Sequence, residues 1–98
     1  MQFMVTAYDG IDENAFERRM SVREAHLKGA KVLKEEGKLI AGGAILDETE
    51  RMIGLTVYCE FDSREALDQW LINDPYVTGN VWQDITVTPI RLAVKPQP

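Results

Sequence analysis

The stretch that decides the fold is GKLIAGGAILDETERMIGLTVYCEF, residues 37–61. Within it, residues 52–61 alternate apolar and polar side chains with a period of two, which is typical of a half-buried strand. Residues 38–46 form a nearly continuous apolar run, and the pair Gly42-Gly43 in its middle predicts a bulge or a close backbone approach. A polar turn at residues 47–51 joins the two runs, so the stretch predicts a β-hairpin.

Upstream of the hairpin, residues 13–36 have the periodicity of a helix. Gly37 is placed to end that helix as a left-handed cap. The tetrapeptide Ser21-Val22-Arg23-Glu24 matches a capping box, so we expect the main helix to begin at Ser21 after a shorter helical turn. The predicted buried face consists of Phe16, Met20, Leu27, Ala30 and Leu33.

Downstream, a second helix is predicted to open at residues 62–65 and to end near Asn73, because Pro75 disfavours helical geometry at the residue before it. Strand-like alternation also marks residues 2–9 and 83–94. The resulting order, β-α-β-β-α-β, predicts an α+β protein of ferredoxin-like fold, with an antiparallel sheet and two helices on one face. We expect one domain over residues 1–95 and a short, frayed tail at residues 96–98.

The other face of the predicted sheet is mixed in character. It is too apolar to be readily solvated and too polar to be a core. Its members are Met4, Thr6, Tyr8, Thr56, Tyr58, Thr86 and Thr88. Such a face suits a second copy packing across it, with a partly polar cavity between the two sheets. We therefore expect a homodimer with a small-molecule ligand in that cavity, and simple solvation of the face is the alternative.

Composition excludes several classes of function. The 98 residues carry a net charge of −5, and the basic residues are interleaved with acidic ones, which argues against nucleic acid or an anionic membrane as partner. No secretory signal is visible and no apolar run approaches a bilayer-spanning length, so we expect a cytoplasmic protein. With one histidine and one cysteine, Cys59, a transition-metal site is not expected, and no phosphate-binding loop or other cofactor motif is present.

Three residues could carry chemistry. His26, the only histidine, lies at the flank of the helical stripe, where it is either structural or an acid–base group. Asp74 either caps the turn at Pro75 or accepts a hydrogen bond from His26 and fixes its tautomer. Arg23 either binds a substrate anion or pairs with a surface acid.

Several stretches together resemble the YciI (YCII-related) family over nearly the whole chain. They are FMVTAYDG at 3–10, REAHL at 23–27, GKLIAG at 37–42, GLTVYCE at 54–60, Asp74-Pro75-Tyr76, and VTPIR at 87–91. The resemblance implies a dimeric α/β barrel, a His26–Asp74 active-site dyad without metal or organic cofactor, and Arg23 as the arginine that precedes the histidine. Many relatives have Gly-Pro where this chain has Gly42-Gly43, so we expect a looser loop there.

Two readings of function follow. In the first, His26 transfers a proton on a small polar or aromatic metabolite in a lyase- or isomerase-type reaction. Asp74 orients His26. The expected substrate-binding residues are Arg23, Tyr8, Tyr58, Gly42 and Tyr76. In the second, the chain is a non-catalytic dimeric module that binds a metabolite or a protein partner. A cofactor-independent oxygenase of the wider barrel superfamily is a third option, which no residue specifically supports.

Overall fold

The computed structural model describes residues 1–96, and the fold in that range is a four-stranded sheet covered by helices on one face. The elements are β1 (Gln2–Asp9), α1 (Ala15–Glu35), β2 (Leu39–Leu46), β3 (Met52–Glu60), α2 (Arg64–Asn73), α3 (Pro75–Thr78) and β4 (Trp82–Ile90). Of the predicted tail, residues 97–98 lie outside the described residues.

The sheet has the strand order β2-β3-β1-β4, with every neighbouring pair antiparallel. This arrangement confirms the predicted ferredoxin-like α+β fold. In β1, one of the two inner strands, Val5 lies opposite Val57 of β3 on one side and Val87 of β4 on the other. Strand β4 ends at Ile90, earlier than predicted, because Ile90 pairs with Gln2, where β1 begins.

Alternation along β1 separates the two faces of the sheet. Phe3, Val5 and Ala7 are buried towards the helices, whereas Met4 and Tyr8 point to the open face. On β3, a Cβ at position 54 would collide with the carbonyl oxygen of Ala7, so glycine is required there. Around Gly42-Gly43 the register shifts on either side, between Leu39 and Ala41 and between Ile45 and Leu46, rather than at the glycines themselves.

Helix α1 differs from its prediction at the N-terminus. It is one continuous helix from Ala15, and the predicted start at Ser21 is wrong. Ser21 lies inside the helix, where its hydroxyl donates to the carbonyl oxygen of Arg18 at 2.7 Å. A capping box needs free backbone amides, and here the preceding residues continue the helix and use them.

The buried face of α1 also differs from the prediction. Met20 and Leu27 are 43% and 46% exposed, whereas Arg19 and His26 are buried. The helix can turn these two polar groups inward because each side chain has a buried carboxylate partner. At the C-terminus, Gly37 adopts a φ of 76° and its amide donates to Lys34, which confirms the predicted left-handed cap.

Helix α2 begins and ends as predicted. The hydroxyl of Ser63 accepts a hydrogen bond from the amide of Ala66 at 3.1 Å and caps the N-terminus, and the helix ends at Asn73. The short helix α3 was not predicted. It begins directly after Asp74, whose carboxylate caps it, with Pro75 in the first turn, where the missing amide hydrogen has no cost.

Candidate functional site

Within residues 1–96, four acidic or basic side chains are buried on the helix-covered side of the sheet. Asp9, Arg19, His26 and Asp74 are 8%, 2%, 5% and 3% exposed, respectively. Such groups are rarely fully buried unless they are paired, and each of these four has a partner among the other three. This buried cluster is therefore the candidate functional site.

His26 and Asp74 form the first pair. Nδ1 of His26 lies 2.9 Å and 3.2 Å from the two carboxylate oxygens of Asp74. An ionised carboxylate only accepts hydrogen bonds, so we assign the Nδ1 proton to His26 as the donor. Nε2 makes no hydrogen bond within residues 1–96, and its lone pair is free in this tautomer.

The position of Asp74 is set by the local chain path. One carboxylate oxygen also accepts a hydrogen bond from the amide of Tyr76 at 2.9 Å, as the N-terminal cap of α3. The turn-cap and histidine-partner interpretations of Asp74 are thus compatible, because the two contacts occur together. This double role fixes the carboxylate at Nδ1 of His26.

Tyr76 holds the imidazole from another direction. The two rings stack with centroids 3.9 Å apart and planes 15° from parallel, and Trp82 meets the imidazole edge-on at 5.7 Å. Burial raises the pKa of the Tyr76 hydroxyl above its usual range, so the phenol stays protonated at neutral pH. The stacked Tyr76 ring thus fixes the plane of the imidazole, and the contact between Nδ1 and Asp74 fixes its tautomer.

Arg19 and Asp9 form the second pair, which the sequence analysis missed. Nη1 of Arg19 lies 3.0 Å and 3.1 Å from the two carboxylate oxygens of Asp9, and both side chains are almost fully buried. Burial raises the pKa of Asp9, and the neighbouring Arg19 partly opposes that shift. The guanidinium carbon also lies 4.8 Å from the centroid of the Tyr76 ring.

A cavity of about 230 Å³ lies next to the buried cluster, between α1 and the β2–β3 hairpin. Its walls are mainly apolar and come from Leu27, Ala30, Leu33, Leu39, Ala44, Met52, Leu55, Val57 and Trp70. Its polar lining comes from Arg19, Arg23, His26 and Tyr76. A mostly apolar cavity with a few converging polar groups has the character of a small-molecule site.

The structure brings together five of the seven predicted site residues. Arg23, Gly42 and Tyr76 line the same cavity as His26, and Asp74 is hydrogen-bonded to His26. Arg23 has no ion pair within residues 1–96, so the alternative in which it pairs with a surface acid is not observed there.

Tyr8 and Tyr58 lie elsewhere. They project from the open face of the sheet, whereas His26 lies on the helix-covered face. Tyr8 lines a separate pocket of about 500 Å³ beside β1 and the β2–β3 turn. The cavity next to the buried cluster therefore lies within a single chain, under α1, rather than on the open face where it was expected. The reason is the period of two, which sends Tyr8 and Asp9 to opposite sides of the sheet.

Two structural observations bear on other ligands. Within residues 1–96, the His, Cys, Asp and Glu side chains form no group of three that could hold a metal ion. Among the helices in the same range, none combines the length and the apolar character needed to cross a membrane.

Comparison with known proteins finds relatives in one family. The model of the YCII-related domain family matches residues 1–91. Protein YciI of Escherichia coli O6:H1 is 35% identical over 97 residues, which cover 93% of this chain and 97% of that protein. A protein of Haemophilus influenzae described as uncharacterized is 35% identical over the same shares of the two chains.

Among solved structures, this chain is similar to 5-chloro-2-hydroxyhydroquinone dehydrochlorinase from Burkholderia phenoliruptrix AC1100, in complex with 2,5-dihydroxybenzoquinone. The TM-score is 0.81 at 22% identity, with 93% of this chain and 94% of that chain covered. At this level of identity, the likeness concerns the fold.

Proposed function

This chain belongs to the YCII-related domain family, and from that premise we propose that it is a small-molecule enzyme in which His26 is the acid–base group. The observation that carries the proposal is the geometry of one imidazole. Its Nδ1 is bound to a buried carboxylate 2.9 Å away, and its ring lines a cavity with Nε2 free of hydrogen bonds within residues 1–96. A histidine held in this tautomer can take a proton at Nε2.

Asp74 acts in the proposal as the orienting group. When Nε2 takes a proton, the ring becomes an imidazolium, and the carboxylate at Nδ1 stabilises the new positive charge. The proton can then be returned to another atom of the same substrate, as in an isomerisation, or to a leaving group, as in an elimination. Positioned proton transfer of this kind contributes about 10²–10⁴-fold in rate.

The size and lining of the cavity limit the substrate. A volume of about 230 Å³ suits one small ring rather than a polymer or a nucleotide cofactor. The walls are mainly apolar, and Arg19, Arg23 and His26 add charge and hydrogen-bonding groups to the lining. A small hydroxylated aromatic or enol-bearing metabolite has both properties, and the ring compound named for the similar dehydrochlorinase is of this kind.

We also propose a homodimer formed through the open face of the sheet. Support comes from its composition, since Met4, Thr6 and Tyr58 are only partly buried there and the face mixes apolar with hydroxyl-bearing side chains. Sedimentation equilibrium should give twice the 11.1 kDa chain mass, and a charged residue at Thr6 should return the protein to a single copy.

The test of the enzyme proposal follows proton transfer directly. The protein would be mixed in D₂O with a panel of small enolisable keto acids and hydroxylated quinones, and incorporation of deuterium at carbon would be followed by NMR. Chloride release from 5-chloro-2-hydroxyhydroquinone would be measured in parallel. We expect at least one compound to react, with His26→Gln slower by about 10²–10⁴-fold and Asp74→Asn also slower.

The matched control is Asp68→Asn, which removes a carboxylate from the exposed pair with Arg64. It should react as the wild type does. Equal rates for the wild type and His26→Gln would contradict the proposal. Retained ligand binding without any turnover would favour the non-catalytic module instead.

A further inference from the structure

The guanidinium of Arg19 is only partly used by the protein. Its hydrogen bonds to Asp9 both come from Nη1. Within residues 1–96, Nε is buried without a hydrogen-bond partner and Nη2 makes no hydrogen bond. A buried donor without an acceptor is rare in folded proteins and calls for an explanation. The unused Nε–Nη2 edge is the fork with which arginine binds oxygen anions.

The charge around the cavity is more positive than that of the whole chain. Arg19 and Arg23 both line the cavity, one helical turn apart on α1. Asp9 offsets the charge of Arg19, while Arg23 has no ion pair within residues 1–96. A chain with a net charge of −5 thus directs positive charge into its apolar cavity, where an anion would be attracted.

The position of Arg19 also suits the proposed chemistry. Its guanidinium lies 4.8 Å from the Tyr76 ring, and that ring stacks on His26 at 3.9 Å. When a base removes a proton from an enol, a phenol or a carbon next to a carbonyl, negative charge develops on the substrate oxygen. A fixed donor near that oxygen lowers the energy of the transition state.

We propose that Arg19 binds the anionic oxygen of an enolate- or phenolate-type substrate, and that Asp9 is a positioning residue that holds the guanidinium in place. The substrate class is therefore a small ring or enol that carries an ionised oxygen. This inference rests on the proposed function for the identity of the reaction, but the binding role of Arg19 is measured separately from turnover.

The experiment compares two ring compounds of similar size. One is 2,5-dihydroxybenzoquinone, a vinylogous acid that is anionic at neutral pH. The other is hydroquinone, which is uncharged there. Dissociation constants for both would be measured by calorimetry with the wild type and with Arg19→Gln. We expect Arg19→Gln to raise the dissociation constant of the anion by about 10–100-fold, as for the loss of a charge-assisted hydrogen bond. The dissociation constant of hydroquinone should change by less than about twofold.

Further variants keep the result independent of folding. Arg19→Lys keeps the charge but not the fork, and should give an intermediate loss for the anion. Asp9→Asn should reduce the ratio of the two affinities, which a purely structural role would leave unchanged. Arg64→Gln, which removes an exposed arginine paired with Asp68, is the matched control and should bind both compounds normally.

Unchanged binding of the anion by Arg19→Gln, or equal loss of both compounds, would overturn the inference while leaving proton transfer by His26 intact. Loss of the anion in Arg23→Gln alone would overturn it too, because the anion would then be bound at Arg23. Wild-type protein that binds neither compound would contradict the substrate class. Failure of the proposed function appears differently, as equal turnover by the wild type and His26→Gln.

Discussion

The helix-covered face of the sheet has two unlike regions. Around α2, the core is apolar, with Phe3, Cys59 and Leu67 almost completely buried. Beneath α1, the same face buries the pairs Asp9–Arg19 and His26–Asp74. Apolar burial stabilises the fold directly, whereas the removal of charges from water offsets much of the attraction between them. Under the function proposed here, the charged region serves the chemistry and the apolar region serves stability.

The largest expected effect comes from breaking a buried ion pair. Asp9→Ala leaves the guanidinium of Arg19 buried without its partner, and should lower the free energy of unfolding by about 3–5 kcal/mol. The double variant Asp9→Leu, Arg19→Met removes both charges and should recover most of that loss. Urea denaturation measures both quantities.

The control for this prediction is Asp12→Ala, which breaks the exposed pair with Arg18 and should leave the free energy of unfolding almost unchanged, because solvent screens exposed ion pairs. A double variant as unstable as Asp9→Ala would show that the charged region does stabilise the fold, against the comparison drawn above.

In the apolar region, Leu67→Ala should lower the free energy of unfolding by about 2–5 kcal/mol, because Leu67 is 0% exposed and its removal leaves a void in the core. Binding of ring compounds by the folded protein should not change, since Leu67 does not line the cavity. Denaturation and calorimetry on the same sample test the two halves of this prediction. An altered dissociation constant would mean that the two regions are coupled.

A smaller effect concerns alkaline pH. Burial raises the pKa of the Cys59 thiol from 9.0 to about 11. A group whose pKa is raised by folding gives its full contribution to stability below its unfolded pKa and loses it as the pH rises through its folded pKa. Stability should therefore fall between about pH 9 and 11, by about 2–3 kcal/mol for this thiol.

Cys59→Ala removes the titrating group, so its stability should decline less over the same pH window than that of the wild type. Denaturation midpoints at several pH values compare the two. Parallel profiles would show that the thiol is not desolvated as described.

The fold was predictable because it depends on periods of two and of 3.6 in long segments. The hairpin and the order of the elements along the chain follow from such patterns, and the end of α2 at Asn73 follows from Pro75. The start of α1 was not predictable in this way, because the pattern Ser21-x-x-Glu24 occurs both at helix N-termini and inside helices. A local motif does not reveal whether the preceding residues already form a helix.

The site was predictable only in part. His26 and Asp74 were chosen for their chemistry and a family motif, and they are hydrogen-bonded in the structure. Arg19 and Asp9 were missed, because arginine and aspartate are ordinary surface residues and their burial depends on each other. One signal was available, since Asp9 continues the alternation of Phe3, Val5 and Ala7 and so belongs to the covered face.

Tyr8 and Tyr58 were grouped with the cavity for the opposite reason. They were assigned to the open face correctly, but the cavity was expected on that face as well. Only the three-dimensional packing of α1 against the hairpin reveals that the space beside His26 is on the other side of the sheet.

The central claim is that Nδ1 of His26 carries the proton and donates it in a hydrogen bond to Asp74, so that Nε2 is unprotonated and can accept a proton from a ligand in the cavity. Because His26 is the only histidine, ¹⁵N NMR of histidine-labelled protein observes this ring alone. At alkaline pH, where imidazoles are neutral, we predict a protonated Nδ1 and an unprotonated Nε2, and loss of this preference in Asp74→Asn. A proton on Nε2 in the wild type, with Nδ1 bare, would contradict the account.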